Sequence, residues 1–79
     1  MSKDNAFLLI TCDLGKREQI KEQLKDMPGV EYVSITHGVY DLVAHIITES
    51  KEHYKSFIDK IRCVENVRAT LTLAQLETT

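Results

Sequence analysis

The chain has little of the material from which several common classes of protein are built. Among its 79 residues are two cysteines, Cys12 and Cys63, too few for a multi-bridge framework and without the paired spacing of a zinc site. No purely apolar run exceeds the five residues Ala6 to Ile10, so no segment reads as a bilayer span and no membrane partner is expected. The opening Met-Ser-Lys-Asp-Asn has no basic stretch leading into an apolar one; no secretory signal is legible, and a cytoplasmic location is expected. Tryptophan is absent, and the net charge is only −2, so no broad basic surface for nucleic acid is available. At this length a single domain is expected, with a core only marginally sufficient on its own.

What is present is periodic. Residues 6–12 are β-rich and too short for a helix, which predicts a strand. A helix is expected from about Lys16 to Met27, with Ile20, Leu24 and Met27 on one face, ended by Pro28-Gly29. Val30 to Thr36 reads as a second strand with Val33 and Ile35 on one face; 37–39 is a turn and 40–48 a third strand. Ser50 is a candidate N-cap for a second helix over 51–63, whose apolar stripe is Tyr54, Phe57, Ile58 and Ile61. The last strand, 67–76, places Val67, Ala69, Leu71 and Leu73 on one face and Thr70 and Thr72 on the other.

The two halves are variants of one unit. A shift of 37 residues carries Leu9-Ile10-Thr11 onto Ile46-Ile47-Thr48, Ile20 onto Phe57, Leu24 onto Ile61, Met27 onto Val64 and Val30 onto Val67. Two right-handed βαβ units interleave into one antiparallel sheet with both helices on one side. The expected fold is therefore α+β, a ferredoxin-like βαββαβ sandwich with strand order 4-1-3-2. Residues 6–77 form the domain, and 1–5 are a disordered lead-in.

The central strands are apolar on both sides. A half-solvated antiparallel sheet should alternate apolar with polar, yet Phe7, Leu9, Val43 and Ile47 fall opposite the face that the helices cover, together with His45. Leaving large apolar side chains in water forfeits roughly 1.5–3 kcal/mol each. A second copy packed sheet against sheet is the economical remedy, which makes Phe7, Leu9, Val43, His45 and Ile47 the expected dimer interface.

Catalytic and metal chemistry find no footing. His37, His45 and His53 fall in a loop, a strand and a helix, with no ligand spacing between them. Cys12 lies beside Asp13, which should raise its pKa, and no nucleophile–base arrangement is legible. No cofactor, metal or catalytic residue is expected. RNA-recognition modules on this fold need stacking aromatics and basic surroundings. Here only Phe7 is central, and the lysines and arginine of the first helix alternate with acids, so no direct nucleic-acid contact is expected. The segment Thr36-His37-Gly38-Val39-Tyr40-Asp41 is more suggestive. Gly38 permits positive φ, Tyr40 offers a hydroxyl and Asp41 a carboxylate. Two readings stand: a plain hairpin turn in which Asp41 caps exposed amides, or a loop that meets the ammonium and carboxylate of a free amino acid.

Two stretches resemble a known family. Met27-Pro28-Gly29-Val30 after the first helix, and His37-Gly38-Val39-Tyr40-Asp41-Leu42-Val43 with its Gly-x-Tyr-Asp run, are similar to the RAM domain, the effector-binding half of Lrp/AsnC (feast/famine) transcriptional regulators. Thr70-Leu71-Thr72-Leu73 fits the same pattern, and the likeness covers residues 5–77. Val64-Glu65-Asn66-Val67 stands where the family often repeats Pro-Gly-Val, a departure expected to loosen that turn. The resemblance implies dimers that join through their sheets, assemble to tetramers or octamers, and bind a free amino acid as effector between neighbouring dimers. The implied ligand contacts are His37, Gly38, Val39, Tyr40 and Asp41, with Thr70 and Thr72 beside them. Asp41 is then expected near the ammonium, the Gly38 backbone near the carboxylate, and His37 as a tuner of side-chain preference. It further implies an oligomeric sensor that is not an enzyme. Full-length members carry a helix-turn-helix; here only Met1 to Asn5 precede the first strand, so none is expected, and transcription is expected to be modulated by assembly with full-length Lrp/AsnC regulators. Alternatives are an ACT-like amino-acid-binding domain, or a dimeric α+β barrel enzyme using His45 or Asp41 as a base.

Overall fold

Alternation along the central strands decides the layering. The structure, a computed structural model, describes residues 4–48 and 51–74. Its elements run β1 (Asp4–Cys12), α1 (Arg17–Lys25), β2 (Val30–Ile35), β3 (Leu42–Thr48), α2 (Lys51–Arg62) and β4 (Val67–Ala74). They form one four-stranded antiparallel sheet ordered β2-β3-β1-β4, the expected ferredoxin-like arrangement. Ala6, Leu8 and Ile10 of β1 and Leu42, Ala44 and Ile46 of β3 point to the helix side and are buried. Ile20 and Leu24 of α1 and Ile61 of α2 close over them, while Met27, Tyr54, Phe57 and Ile58 pack at the margins. Each large side chain fully enclosed here stabilises the fold by roughly 1.5–3 kcal/mol.

Element ends differ from expectation for local reasons. β1 starts at Asp4, so residues 4 and 5, assigned to the disordered lead-in, instead pair with Thr48 and Ile47. β3 starts at Leu42, two residues late, because Tyr40 and Asp41 belong to a closed loop. α1 ends at Lys25 because Met27 N–H donates to Leu24 O (3.0 Å), tightening the chain before Pro28. The Ser50 cap and residues 75–76 of the expected last strand lie outside the described residues.

The repeat is visible in bonds as well as in sequence. Met27 N–H donates to Leu24 O and Val30 N–H to Met27 O; 37 residues later Val64 N–H donates to Ile61 O and Val67 N–H to Val64 O, at the same 3.0 and 3.2 Å. Gly29 has φ +97° and its counterpart Asn66 has φ +76°. The second turn is therefore not loosened: asparagine holds the left-handed position that glycine holds in the first. Each half also carries a bulge just after its turn, where Glu31 and Arg68 fall between ladder pairs. The bulge corrects one face assignment. Val67 packs against the core, whereas Ala69, Leu71 and Leu73, opposite Thr11, Leu9 and Phe7, lie on the other side of the sheet.

Two stability outcomes follow from these contacts. A Cβ on Gly29 would stand 3.3 Å from Ile47 O and from Phe57 Cε2 in addition to its backbone strain. Gly29→Ala is therefore expected to cost at least about 2 kcal/mol in urea denaturation, against about 1 kcal/mol for Asn66→Ala and nearly nothing for Asn66→Gly. The Tyr54 hydroxyl is buried without a partner among the described residues, and burial pushes its pKa up. Tyr54→Phe is expected to raise stability by about 1 kcal/mol in the same assay.

Candidate functional site

Asp41 ties three segments together at one end of the sheet. Its N–H donates to Ile10 O (2.9 Å) and its carbonyl accepts from Thr36 N–H (2.9 Å), closing the loop between β2 and β3. Thr36 Oγ1 donates to Tyr40 O (2.6 Å), fastening the same loop from within. The side chain reaches further. Oδ2 accepts the N–H of Cys12 (2.9 Å) at the end of β1, and Oδ1 faces Arg17 Nε (3.2 Å) at the start of α1. The plain-turn reading is thus right on one point: Asp41 caps a strand amide. Both of its oxygens are already engaged, so an ammonium arriving there competes with Arg17.

His37, Gly38 and Val39 face outward, whereas Tyr40 is half-buried. Gly38 adopts φ +139° with open space where a Cβ would be. His37 and Val39 are exposed, Val39 at 86 %. Beside them a cleft of about 580 Å³ is lined by Leu14, Gly15, Arg17, Glu18, Ile35 and His37. Cys12 has a raised pKa, owing first to burial and next to Asp41; Asp13, the cause expected from sequence, contributes least.

Not all the expected contacts gather here. Thr70 lies across β1 from Leu42, both paired with Ile10, so it shares this end of the sheet. Its hydroxyl, however, accepts from Arg62 Nε (3.2 Å). Thr72 pairs with Leu8, further into the sheet and away from the loop. Arg17 and Glu18 were missed because, in sequence, they read as part of the mixed-charge face of α1. Only the fold shows that the first turn of that helix borders the loop.

The uncovered sheet face forms a second surface. Phe7, Leu9, Val43, His45 and Ile47 lie on it, half-buried, as expected. The pairing register adds Tyr32, beside His45, and Leu71 and Leu73, beside Leu9 and Phe7. These three are 46 %, 45 % and 50 % exposed. His45 stacks on Phe7 (centroids 4.8 Å apart), lies against Tyr32 (5.4 Å), and donates from Nε2 to Asn5 Oδ1 (3.1 Å). It therefore sits on the open face, not in an enclosed pocket between sheet and helices as the enzymatic alternative requires. No cluster of three or more potential metal ligands occurs among the described residues. No helix among them is long and apolar enough to cross a membrane.

Known proteins share this architecture. The Lrp/AsnC ligand binding domain model matches residues 5–79. The HTH-type transcriptional regulator FL11 of Pyrococcus furiosus is 33 % identical over 72 residues, covering 91 % of this chain and 48 % of the regulator. The chain spans about half the length of the curated relatives it matches. The crystal structure of FFRP-DM1 superposes with a TM-score of 0.89 at 30 % identity, covering 92 % of this chain and 99 % of that one. The regulator NMB0573 of Neisseria meningitidis, solved as an L-Met complex, shares the fold at 17 % identity, with a TM-score of 0.84 over 94 % of this chain and 50 % of that one. Sheet order, the Gly-x-Tyr-Asp loop and the length of the family match converge, and the chain belongs to the Lrp/AsnC ligand-binding-domain family.

Proposed function

We propose that this domain is an oligomeric sensor of a free amino acid that modulates transcription by assembling with copies of itself and with full-length Lrp/AsnC regulators, without contacting DNA through its own surface. The observation that carries the reading is the closed 36–41 loop with a cleft beside it. Its volume, about 580 Å³, falls within the roughly 300–1,000 Å³ typical of small-molecule sites. His37 lines the cleft, Gly38, Val39, Tyr40 and Asp41 follow it in the loop as the proposed contacts, and Thr70 and Thr72 are the outlying members of the set. The methionine bound by the Neisseria regulator belongs to a protein of the same fold and supports an amino acid as the effector class.

Assembly rests on the apolar sheet face. A second copy laid across Phe7, Leu9, Val43, Leu71 and Leu73 removes from water side chains that no helix of the same chain reaches. Effector binding then shifts assembly by preferring one oligomeric arrangement over another.

Sedimentation equilibrium of the wild type is expected to give a dimer or a larger even-numbered assembly at micromolar concentration. Leu71→Glu, at a half-exposed position on β4, is expected to shift it to monomer with the far-ultraviolet spectrum intact; a wild-type monomer at every concentration rejects the sheet-to-sheet dimer. In a thermal-shift screen of the twenty common amino acids, at least one is expected to raise the melting temperature by linkage. Calorimetry with that amino acid should show Asp41→Ala weakening binding tenfold or more; undiminished affinity removes Asp41 from the site.

A further inference from the structure

The uncovered sheet face carries one side chain that water and a second copy treat differently. His45 stands in its middle, with Val43 and Ile47 two residues away on β3, Phe7 on one neighbouring strand and Tyr32 on the other. The imidazole stacks on Phe7 (centroids 4.8 Å, planes 24° apart) and lies against Tyr32 (5.4 Å). Asn5 Oδ1 can only accept, so Nε2, 3.1 Å from it, carries a hydrogen whether the ring is neutral or charged. The proton that comes and goes is therefore on Nδ1, which has no partner among the described residues.

Among the described residues no charged group faces the ring from the elements around it. β1 presents Asn5, Phe7 and Leu9, β2 presents Tyr32 and Ser34, and β4, one strand further, presents Leu71 and Leu73. The Tyr32 phenol is the one other titratable group in this set. Glu31 falls in the bulge of β2 and lines a cleft with His53 and Phe57 of α2, towards the helix layer. Arg68, in the bulge of β4, lies at the loop end of the sheet and is paired with Asp13 (3.7 Å). Both helices pack on the opposite side.

In a single chain this face meets water, which stabilises an imidazolium. A second copy laid across it replaces water by apolar side chains, where an unpaired charge is costly. The Phe7 stack and the Asn5 bond do not offset that cost, because both are made within one chain and are the same before and after association. We infer that His45 makes the sheet-to-sheet dimer sensitive to pH: neutral imidazoles let the two faces close, and their protonation as pH falls drives the copies apart. This rests on the dimer proposed above and adds its regulation. Histidine is the side chain whose charge ordinarily changes between pH 5 and 8, and a two-fold dimer carries two copies of it. The direction is distinctive. The sequence pI is about 5.9, so self-repulsion fades as pH falls from 8 to 5.5 and by itself favours association.

The test is the dissociation constant of the wild-type dimer at pH 8 and at pH 5.5, at equal ionic strength. Fluorescence-detected sedimentation from picomolar to micromolar concentration gives both values, with circular dichroism confirming the fold at each pH. The constant is expected to rise on the order of tenfold or more at the lower pH. His45→Gln keeps a donor for Asn5 and cannot titrate, so its ratio between the two pH values is expected to fall near one. His45→Leu is expected to do the same should glutamine disturb the face, and His53→Gln, on α2, to retain the wild-type ratio. Because each variant is read as a ratio, a change in its overall affinity does not enter. A wild-type dimer equally tight or tighter at pH 5.5 overturns the inference and leaves the dimer standing. So does a wild-type ratio that both His45 variants retain, since another group then carries the proton. A wild-type monomer at both pH values removes the dimer and its switch together.

Discussion

Two helices can cover only one side of a four-stranded sheet, and in this chain the side they leave bare is apolar through its central strands. Everything else about the molecule adjusts to that constraint. The helix side is finished: Leu8, Ile10, Leu42, Ile46, Ile20, Leu24 and Ile61 are fully enclosed. On the far side, rows run across the strands from Tyr32 through His45 and Phe7 to Leu73, and from Ser34 through Val43 and Leu9 to Leu71. Such a surface suits association better than solvent. For a domain this small, the proposed association would also add to the stability of its own core.

The proposed site sits where the constraint is weakest, at the loop end of the sheet. Here the chain spends one aspartate on joining β1, α1 and the 36–41 loop, through a backbone amide on one carboxylate oxygen and a guanidinium on the other. Hydrogen bonds to a charged group are stronger than neutral ones, so a single residue gives an exposed loop a fixed base.

Most of the fold was legible because each residue's role followed from period and punctuation. Ile20, Leu24 and Met27 at helical spacing, Pro28-Gly29 as a stop, and Leu42, Ala44 and Ile46 at strand spacing identify their elements without ambiguity. What escaped was whatever depends on one inserted residue or on neighbours distant in sequence. The bulge at Arg68 turns Val67 inward while leaving Leu71 and Leu73 outward, and a strict two-residue alternation cannot represent that. Asn66 looked like a loss of the glycine stop, yet asparagine tolerates the left-handed region well enough to keep both turn bonds. Arg17 looked like one charge in a solvated face, because its partner Asp41 lies on a different element. The loop was legible from its glycine, tyrosine and aspartate; the ion pair that Arg17 makes to it was not.

The matched turns and bulges give the two halves a common grammar, and the 36–41 loop is the seam where they are joined. Turns inside each half are bound by the requirement that helix hand on to strand at a fixed angle, twice over. The seam carries no such duplicated duty. The join can therefore vary in composition without unsettling the hydrogen-bonded turns of either half.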